Sequence, residues 1–249
     1  MQGRQVLITG GSAGIGLDCV RMLTEAGARV HVVARDRERL DALQNQFGEQ
    51  VTTLAADLAE TDAVAAVGAH LEAVGVAALD GLVINAAKYG FRSLSDCSLA
   101  ELQAYFQVNA ISAIQLINLT LPLLRKGEGR SIVCVSSTLA TRPIAGTGAY
   151  AATKAALNSL VQTYALECAG DQIRVNAVLP GVVDTDIHEP RTDQDPPRAE
   201  KMAALGPMHP LGRVGSVRDV SALVMFLLGD QSAWTTGSLY NVDGGISLV

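Results

Sequence analysis

The sequence predicts an α/β fold: a doubly wound parallel sheet of about seven strands with helices on both faces. Three observations carry this. Short apolar runs alternate with longer helical stretches along the whole chain. The runs are mostly apolar rather than alternating, as strands buried on both faces require. A glycine-rich turn follows the first run. Repeated strand–helix alternation builds right-handed βαβ units and a sheet wound in two directions.

The elements follow in order. Residues 6–8 read as the first strand and 15–26 as the helix behind the glycine turn. Strands are expected at 30–33, 51–54, 82–84, 132–135, 175–178 and 239–242. Helices are expected at 37–47, 99–124, 150–169 and 217–228. No low-complexity linker and no fixed-period repeat divides them, so 1–249 is read as a single domain. A chain of 249 residues buries roughly 70–75% of its unfolded surface and needs no disulfide or metal staple.

Composition narrows the class. Twenty-five acids against 19 lysines and arginines leave a net charge of −6 and a pI near 5.2. This argues against a nucleic-acid partner, which normally meets a basic stripe. Cys19, Cys97, Cys134 and Cys168 lie at least 34 residues apart. That spacing fits neither zinc nor a redox pair and suits reduced thiols in a cytoplasmic protein. The chain opens straight into a strand with no signal peptide expected. Its longest apolar runs fall short of the ~18 residues of a membrane span. The expectation is a soluble, cytoplasmic protein with neither membrane nor nucleic-acid partner.

One segment departs from this pattern. Asp184 to Lys201 carries nine charged residues in eighteen positions, and six of the eight prolines lie between Pro180 and Pro210. A long polar excursion after the carboxyl end of a strand reads as a lid, because open α/β sheets bind ligands there. The expected lid covers about 184–212.

The glycine-rich turn reads Thr9-Gly10-Gly11-Ser12-Ala13-Gly14-Ile15-Gly16. Gly10 permits a sharp turn, Gly14 lets backbone approach a pyrophosphate, and Gly16 allows close helix–sheet packing. The helix start then offers free N–H groups and a positive dipole end to phosphates. After the second strand the chain reads Val33-Ala34-Arg35-Asp36. NAD sites place an acid here for the ribose 2′-hydroxyl, but this chain has alanine and then arginine. A guanidinium fork matches a 2′-phosphate, so NADP(H) is expected over NAD(H). Asp36 either turns inward to the ribose or caps the next helix.

Tyr150 and Lys154 stand at i and i+4 on one helix face. A free phenol, with a pKa near 10, transfers protons poorly at neutral pH; a neighbouring ammonium favours the phenolate. Tyr150 would then serve as general acid toward a carbonyl or base toward an alcohol. Ser137, with Ser136 at the end of the fifth strand, is placed to hydrogen-bond the substrate oxygen. Asn109 lies on an apolar helix face and must find partners if buried. Asn85 follows the fourth strand on the cofactor edge of the sheet.

Together these residues resemble the short-chain dehydrogenase/reductase family over nearly the whole chain. Thr9 to Gly16, with Ser12, Ala13 and Ile15, matches its T-G-x-x-x-G-x-G turn, and Asp57, followed by Leu58, matches its adenine-contacting Asp. Asn109, Ser137, Tyr150 and Lys154 fall on its catalytic tetrad. Pro180-Gly181-Val182-Val183-Asp184-Thr185 looks like its nicotinamide-contacting segment, through the Val183 backbone and Thr185. One departure stands out: the family's N-N-A-G reads Ile84-Asn85-Ala86-Ala87. The resemblance implies a Rossmann-like fold and proton exchange at Tyr150. It also implies that Lys154 holds the nicotinamide ribose and lowers the Tyr150 pKa. Ser137 would orient the substrate oxygen, and Asn109 would position a water leading from Lys154. Family equivalents pack between subunits, so a homotetramer or homodimer is implied.

The remaining candidates read more plainly. His31, His70, His188 and His209 share no metal-ligand spacing and are expected in ordinary surface roles, with His188 in the lid able to meet substrate. Arg142 is placed to pair an anionic substrate group or to stand exposed before Pro143. Trp234 and Phe226 are expected in the core or at a subunit contact. The leading expectation is an NADP(H)-dependent oxidoreductase interconverting a small-molecule ketone and a secondary alcohol. A 3-oxoacyl thioester (acyl-carrier-protein) reductase is the alternative. A non-catalytic NADP(H)-binding regulator and a Rossmann-like methyltransferase are disfavoured, because neither needs the full tetrad.

Overall fold

The computed structural model describes residues 1–190 and 195–249. Its sheet is all-parallel, with strands β1 (Gln5–Thr9), β2 (Arg29–Ala34), β3 (Val51–Ala55), β4 (Gly81–Ile84), β5 (Ser131–Val135), β6 (Arg174–Pro180) and β7 (Leu239–Val242). They lie in the order β3-β2-β1-β4-β5-β6-β7. Winding therefore reverses between β1 and β4, and the crevice at that switch point is where such sheets take ligands.

Two apolar cores explain the unbroken apolar runs. Leu7, Leu82, Ile132 and Val175 face one side and join Leu116, Ile117, Leu157 and Val161. Val6, Ile8, Val83 and Val133 face the other and join Val20, Leu23, Val224 and Leu227. Successive strand residues point to opposite faces, so a strand covered on both sides is apolar at most positions, and polar exceptions such as His31, Ser131 and Asn176 are hydrogen-bonded. The covering helices are α1 (Gly14–Glu25), α2 (Arg37–Phe47), α3 (Ala63–Ala73), α4 (Leu99–Phe106), α5 (Ser112–Leu124), α6 (Gly148–Glu167), α7 (Arg198–Leu205) and α8 (Val217–Leu228).

Several expectations need correction. The stretch 99–124 is not one regular helix: a π turn over Gln107–Ile111 separates α4 from α5. The same stretch is long and apolar enough, by composition, to cross a membrane. Counting uninterrupted apolar runs missed this, because scattered polar residues break the run without lowering the average. In the fold Ala113, Leu116, Ile117 and Leu124 of α5 belong to the core beside β4 and β5. Helix α3 was not anticipated, since its Ala-rich sequence has little amphipathic contrast. Helix α7 lies within the expected lid, where prolines and charges masked it; residues 191–194 of that lid lie outside the described residues.

The histidines also differ from expectation. His31 is buried between Thr52 Oγ1 at 2.8 Å and Gln5 Oε1 at 3.1 Å. Burial pushes it down to about 4, helped by His70 and Arg29, so it stays neutral and can accept as well as donate. His209 is buried too, with Nδ1 3.0 Å from the Leu205 carbonyl. Trp234 is fully exposed and so no part of the core. Cys19, Cys134 and Cys168 are buried thiols and Cys97 is half-buried; none is in a disulfide.

Candidate active site

The glycine turn folds as its sequence demands. Gly10 and Gly14 have φ of +67° and +53°, a region costly for any residue with a Cβ. A Cβ on Gly10 would lie 2.8 Å from Asn85 Nδ2, and one on Gly16 would collide with the Gly10 carbonyl. Asn85 holds this corner from the neighbouring strand. Its Nδ2 donates to the carbonyls of Thr9 and Gly10, both at 3.0 Å. The Thr9 hydroxyl in turn accepts from the N–H groups of Asn85 at 3.0 Å and Ala86 at 3.1 Å. Beyond the last β1–β4 pair, Ile8 with Val83, the side chains of Thr9 and Asn85 thus carry on the link between the two strands.

Helix α1 starts with Ala13 as its N-cap, with no side-chain cap and no acid in its first turn. By contrast, Asp36 caps α2, and Ser98–Glu101 and Ser216–Asp219 form capping boxes on α4 and α8. An uncapped N-terminus beside a glycine cradle leaves its N–H groups for an anion. These residues therefore fit a dinucleotide pyrophosphate. Asp36 resolves its two alternatives: Oδ1 accepts from the Arg39 N–H at 3.1 Å and caps the helix. Arg35 is exposed beyond β2, 3.8 Å from Asp57 Oδ2. Asp57 Oδ1 caps its own turn through the Ala59 N–H at 3.0 Å, and Leu58 is buried. Thr185 approaches the turn from β6: a Cβ on Gly14 would meet its methyl at 3.3 Å. Val183 is buried and bridges to Gly215, and Gly181 packs so closely on Asp243 that a Cβ would sit 3.0 Å from its Cα.

At the other end of the crevice, α6 carries Tyr150 and Lys154, both buried. Lys154 Nζ donates to the Val135 carbonyl at 2.7 Å and lies 5.7 Å from the centre of the Tyr150 ring. Burial pushes the Lys154 amine down to about 8. Burial raises the Tyr150 phenol above its usual value; a hydrogen bond with the Ser137 side chain opposes this, and Tyr89 adds to it. The expected lowering of the phenol by Lys154 is therefore absent in this structure. Desolvation of a buried phenol outweighs the nearby amine, which is turned onto a strand carbonyl. Ser137 follows β5 and caps the turn over Thr138–Ala140, its Oγ accepting from the Leu139 N–H at 3.2 Å. Ser136 Oγ donates to the Lys154 carbonyl at 3.3 Å and anchors α6 to β5.

Asn109 sits in the π turn, the kind of helix irregularity that recurs at functional sites. Its Oδ1 accepts from the Lys88 N–H at 2.7 Å. Its Nδ2 donates to the Lys88 carbonyl and to Thr153 Oγ1, both at 2.9 Å. The side chain is thus committed to the loop after β4 and to α6. Arg142 stands exposed before Pro143, the second of its two readings, and donates to the Ser247 carbonyl.

Two features escaped the sequence reading. Tyr89 meets the Tyr150 ring edge to face, with centroids 5.0 Å apart and planes at 88°, and His188 stands edge-on to Tyr89 at 6.4 Å. A large aromatic four residues beyond Asn85 was the available signal. Across the crevice, Arg39 pairs with Asp186 at 2.8 Å. Arg198 of α7 pairs with Asp184, Asp186 and Glu189 at 2.6, 3.2 and 2.9 Å. Charges 147 and 12 residues apart give no local signal.

Residues 10–247 match the family model described as enoyl-(acyl carrier protein) reductase. L-xylulose reductase of Bos taurus is 36% identical over 98% of this chain and 97% of its own. The chain belongs to the short-chain dehydrogenase/reductase family. A tropinone reductase homologue of Arabidopsis thaliana is 32% identical, covering 100% of this chain and 92% of its own. An NADPH-bound short-chain oxidoreductase of Pseudomonas aeruginosa, described as having an atypical catalytic centre, superposes with a TM-score of 0.88. It is 32% identical, over 99% of this chain and 98% of that one. As a short-chain dehydrogenase/reductase, the protein is an oxidoreductase that interconverts alcohol and carbonyl groups with a nicotinamide cofactor.

Proposed function

We propose that this protein is an NADP(H)-dependent reductase of small-molecule ketones, with Tyr150 as the proton donor. The observation that carries the reading is the buried Tyr150 phenol one helical turn from Lys154, on the helix that Ser136 ties to the end of β5 where Ser137 stands. The bound nicotinamide supplies the hydride. Ser137 holds the carbonyl oxygen, Tyr150 gives it the proton, and the burial that raises the phenol keeps that proton in place at neutral pH. Lys154 binds the nicotinamide ribose and restores the proton to Tyr150, and Asn109 fixes α6 against the loop after β4. Gly10, Ser12, Ala13, Gly14, Ile15 and Gly16 cradle the pyrophosphate. Asp57, Leu58 and Asn85 bound the adenosine end, and Pro180, Gly181, Val183 and Thr185 bound the nicotinamide.

NADP(H) is favoured over NAD(H) because Arg35 is exposed at the end of β2 while Asp36 is committed to a helix cap. Reduced buried thiols support a cytoplasmic location. The exposed side chains of Leu99, Phe106 and Leu166 on α4 and α6 support a homotetramer or homodimer, and the acidic charge speaks against nucleic acid. A 3-oxoacyl thioester is the second substrate class, favoured by a solved structure described as a putative β-ketoacyl-ACP reductase, 31% identical with a TM-score of 0.86.

The test is NADPH consumption against a panel of ketones and acyl thioesters, with Tyr150→Phe alongside. Loss of the proton donor removes roughly 10²–10⁴ of the rate, and NADPH binding followed by its fluorescence stays unchanged. Turnover by Tyr150→Phe close to the wild-type rate refutes the assignment.

A further inference from the structure

We propose that the wall facing Tyr150 selects a carbonyl compound bearing a flat aromatic substituent, with Tyr89 as the residue that determines specificity. The inference rests on the ketone-reductase reading above and names the substrate class for that site.

The rings come first. Tyr150, Tyr89 and His188 form a stepped series, each edge-on to the next, at 5.0 and 6.4 Å. They come from α6, the loop after β4 and the segment after β6, three elements that converge at the carboxyl end of the sheet. Edge-to-face packing is the arrangement that aromatic groups favour, and the same quadrupole geometry receives a further flat ring.

The mouth of the cleft continues the pattern. Phe91 and Ile144 are large apolar side chains left exposed. Phe91 lies against Gly146, where a Cβ would sit 2.6 Å from the ring. The Arg92 N–H donates to the Gly146 carbonyl at 2.7 Å, tying the loop after β4 to the loop that leads into α6. Both loops therefore present apolar surface beside the helix that carries Tyr150.

The flanking cations are already engaged. Lys88 Nζ stands over the Tyr105 ring at 5.5 Å. Arg92 grips Glu101 with bonds of 2.9 and 3.1 Å, and Arg142 donates to the Ser247 carbonyl. A phosphorylated or carboxylated substrate would have to break one of these contacts. A polyhydroxylated ketose would set hydroxyls against the ring faces of Tyr89 and Phe91, which costs free energy for each group left unpaired there. An aryl ketone meets neither penalty.

The experiment compares kcat/KM with NADPH for a phenyl ketone, its cyclohexyl analogue, a linear ketone of equal carbon count and a ketose. Wild type, Tyr89→Phe and Tyr89→Ala are each assayed, and NADPH affinity is followed by fluorescence. The wild type is expected to favour the phenyl over the cyclohexyl ketone by about tenfold. Tyr89→Ala is expected to abolish that preference, read as the phenyl-to-cyclohexyl ratio of kcat/KM, and Tyr89→Phe to retain it; NADPH affinity is the same in all three. A preference for the ketose overturns the proposal, as does a Tyr89→Ala loss that falls equally on every substrate. Failure of all four compounds with NADPH still bound overturns the ketone-reductase reading as well, whereas turnover without the aryl preference overturns the specificity proposal alone.

Discussion

The side-chain amide of Asn109 closes a two-way ring with the backbone of Lys88, accepting from its N–H at 2.7 Å and donating to its carbonyl at 2.9 Å. A third bond, to Thr153 Oγ1, ties the same amide to α6 between Tyr150 and Lys154. One residue in the π turn therefore sets the distance between the loop carrying Tyr89 and the helix carrying Tyr150 and Lys154. Asn109→Ala removes the partner of the part-buried Lys88 backbone and of the buried Thr153 hydroxyl and is expected to destabilise the fold by about 1–3 kcal/mol. It also raises KM as the Tyr89 loop loosens. Urea unfolding and steady-state kinetics on the same preparation check both effects; unchanged stability and KM would show that the ring has no structural weight.

On the NADP(H) preference proposed above, Arg35 is the residue to test. Its guanidinium is exposed and 3.8 Å from Asp57, close enough to be positioned and far enough to be recruited by a phosphate. Charge-assisted hydrogen bonds of this kind contribute about 1.5–3 kcal/mol. Arg35→Ala is therefore expected to raise the KM for NADPH roughly 10- to 100-fold and to leave that for NADH almost unchanged. A wild type that prefers NADH would sink the assignment.

Much of this was legible in the sequence, and the part that was not has a physical pattern. The strands were readable because each apolar run faces two cores, as Val6, Leu7 and Ile8 show. Tyr150, Lys154 and the glycine turn were readable because their geometry is local: one helical turn, or one strand–turn–helix. Asn109 was legible as a residue but not as a contact, because Lys88 lies 21 residues away. The Tyr150 proton affinity was misread, because burial outweighs the amine beside it and burial is a property of the whole fold. The Arg39–Asp186–Arg198 chain was invisible for the same reason, joining α2, the segment after β6, and α7.

That chain yields a prediction about cofactor release. Arg39 on the adenosine side and Arg198 on α7 both hold Asp186, so these ion pairs join the two sides of the crevice. The pairs are half exposed, and such pairs are weak and screened by salt. Asp186→Asn is expected to speed NADPH dissociation about two- to fivefold, and added salt to bring the wild type toward the variant. Stopped-flow displacement of bound NADPH measures both rates. Identical rates in wild type and Asp186→Asn at low salt would show that the chain does not restrain the cofactor.

Lys154 gives the last prediction, and its direction sets function against stability. Burial holds the amine at about 8 against an ordinary 10.5. Between those values the unfolded chain binds a proton that the native protein does not, so stability rises with pH across that window. The stabilising share is complete above about 10.5 and is lost as pH falls through about 8. At pH 7 the native state must bury an ammonium, a penalty of about 3 kcal/mol. The bond from Nζ to the Val135 carbonyl is lost in any replacement, returning about 1 kcal/mol. Lys154→Met is thus expected to abolish turnover and yet to be about 2 kcal/mol more stable than wild type at pH 7. The advantage shrinks toward zero by pH 9.5: the native amine is then neutral, and the remaining cost, that of taking the proton off the unfolded chain's amine, has fallen to about 1 kcal/mol, close to the hydrogen bond that Met loses. Tyr150, Cys134 and the other titrating groups are common to both proteins and largely cancel in the difference. Urea midpoints at the two pH values measure it. A Met variant less stable than wild type at pH 7 would mean that the buried amine is held charged by a partner strong enough to offset its desolvation.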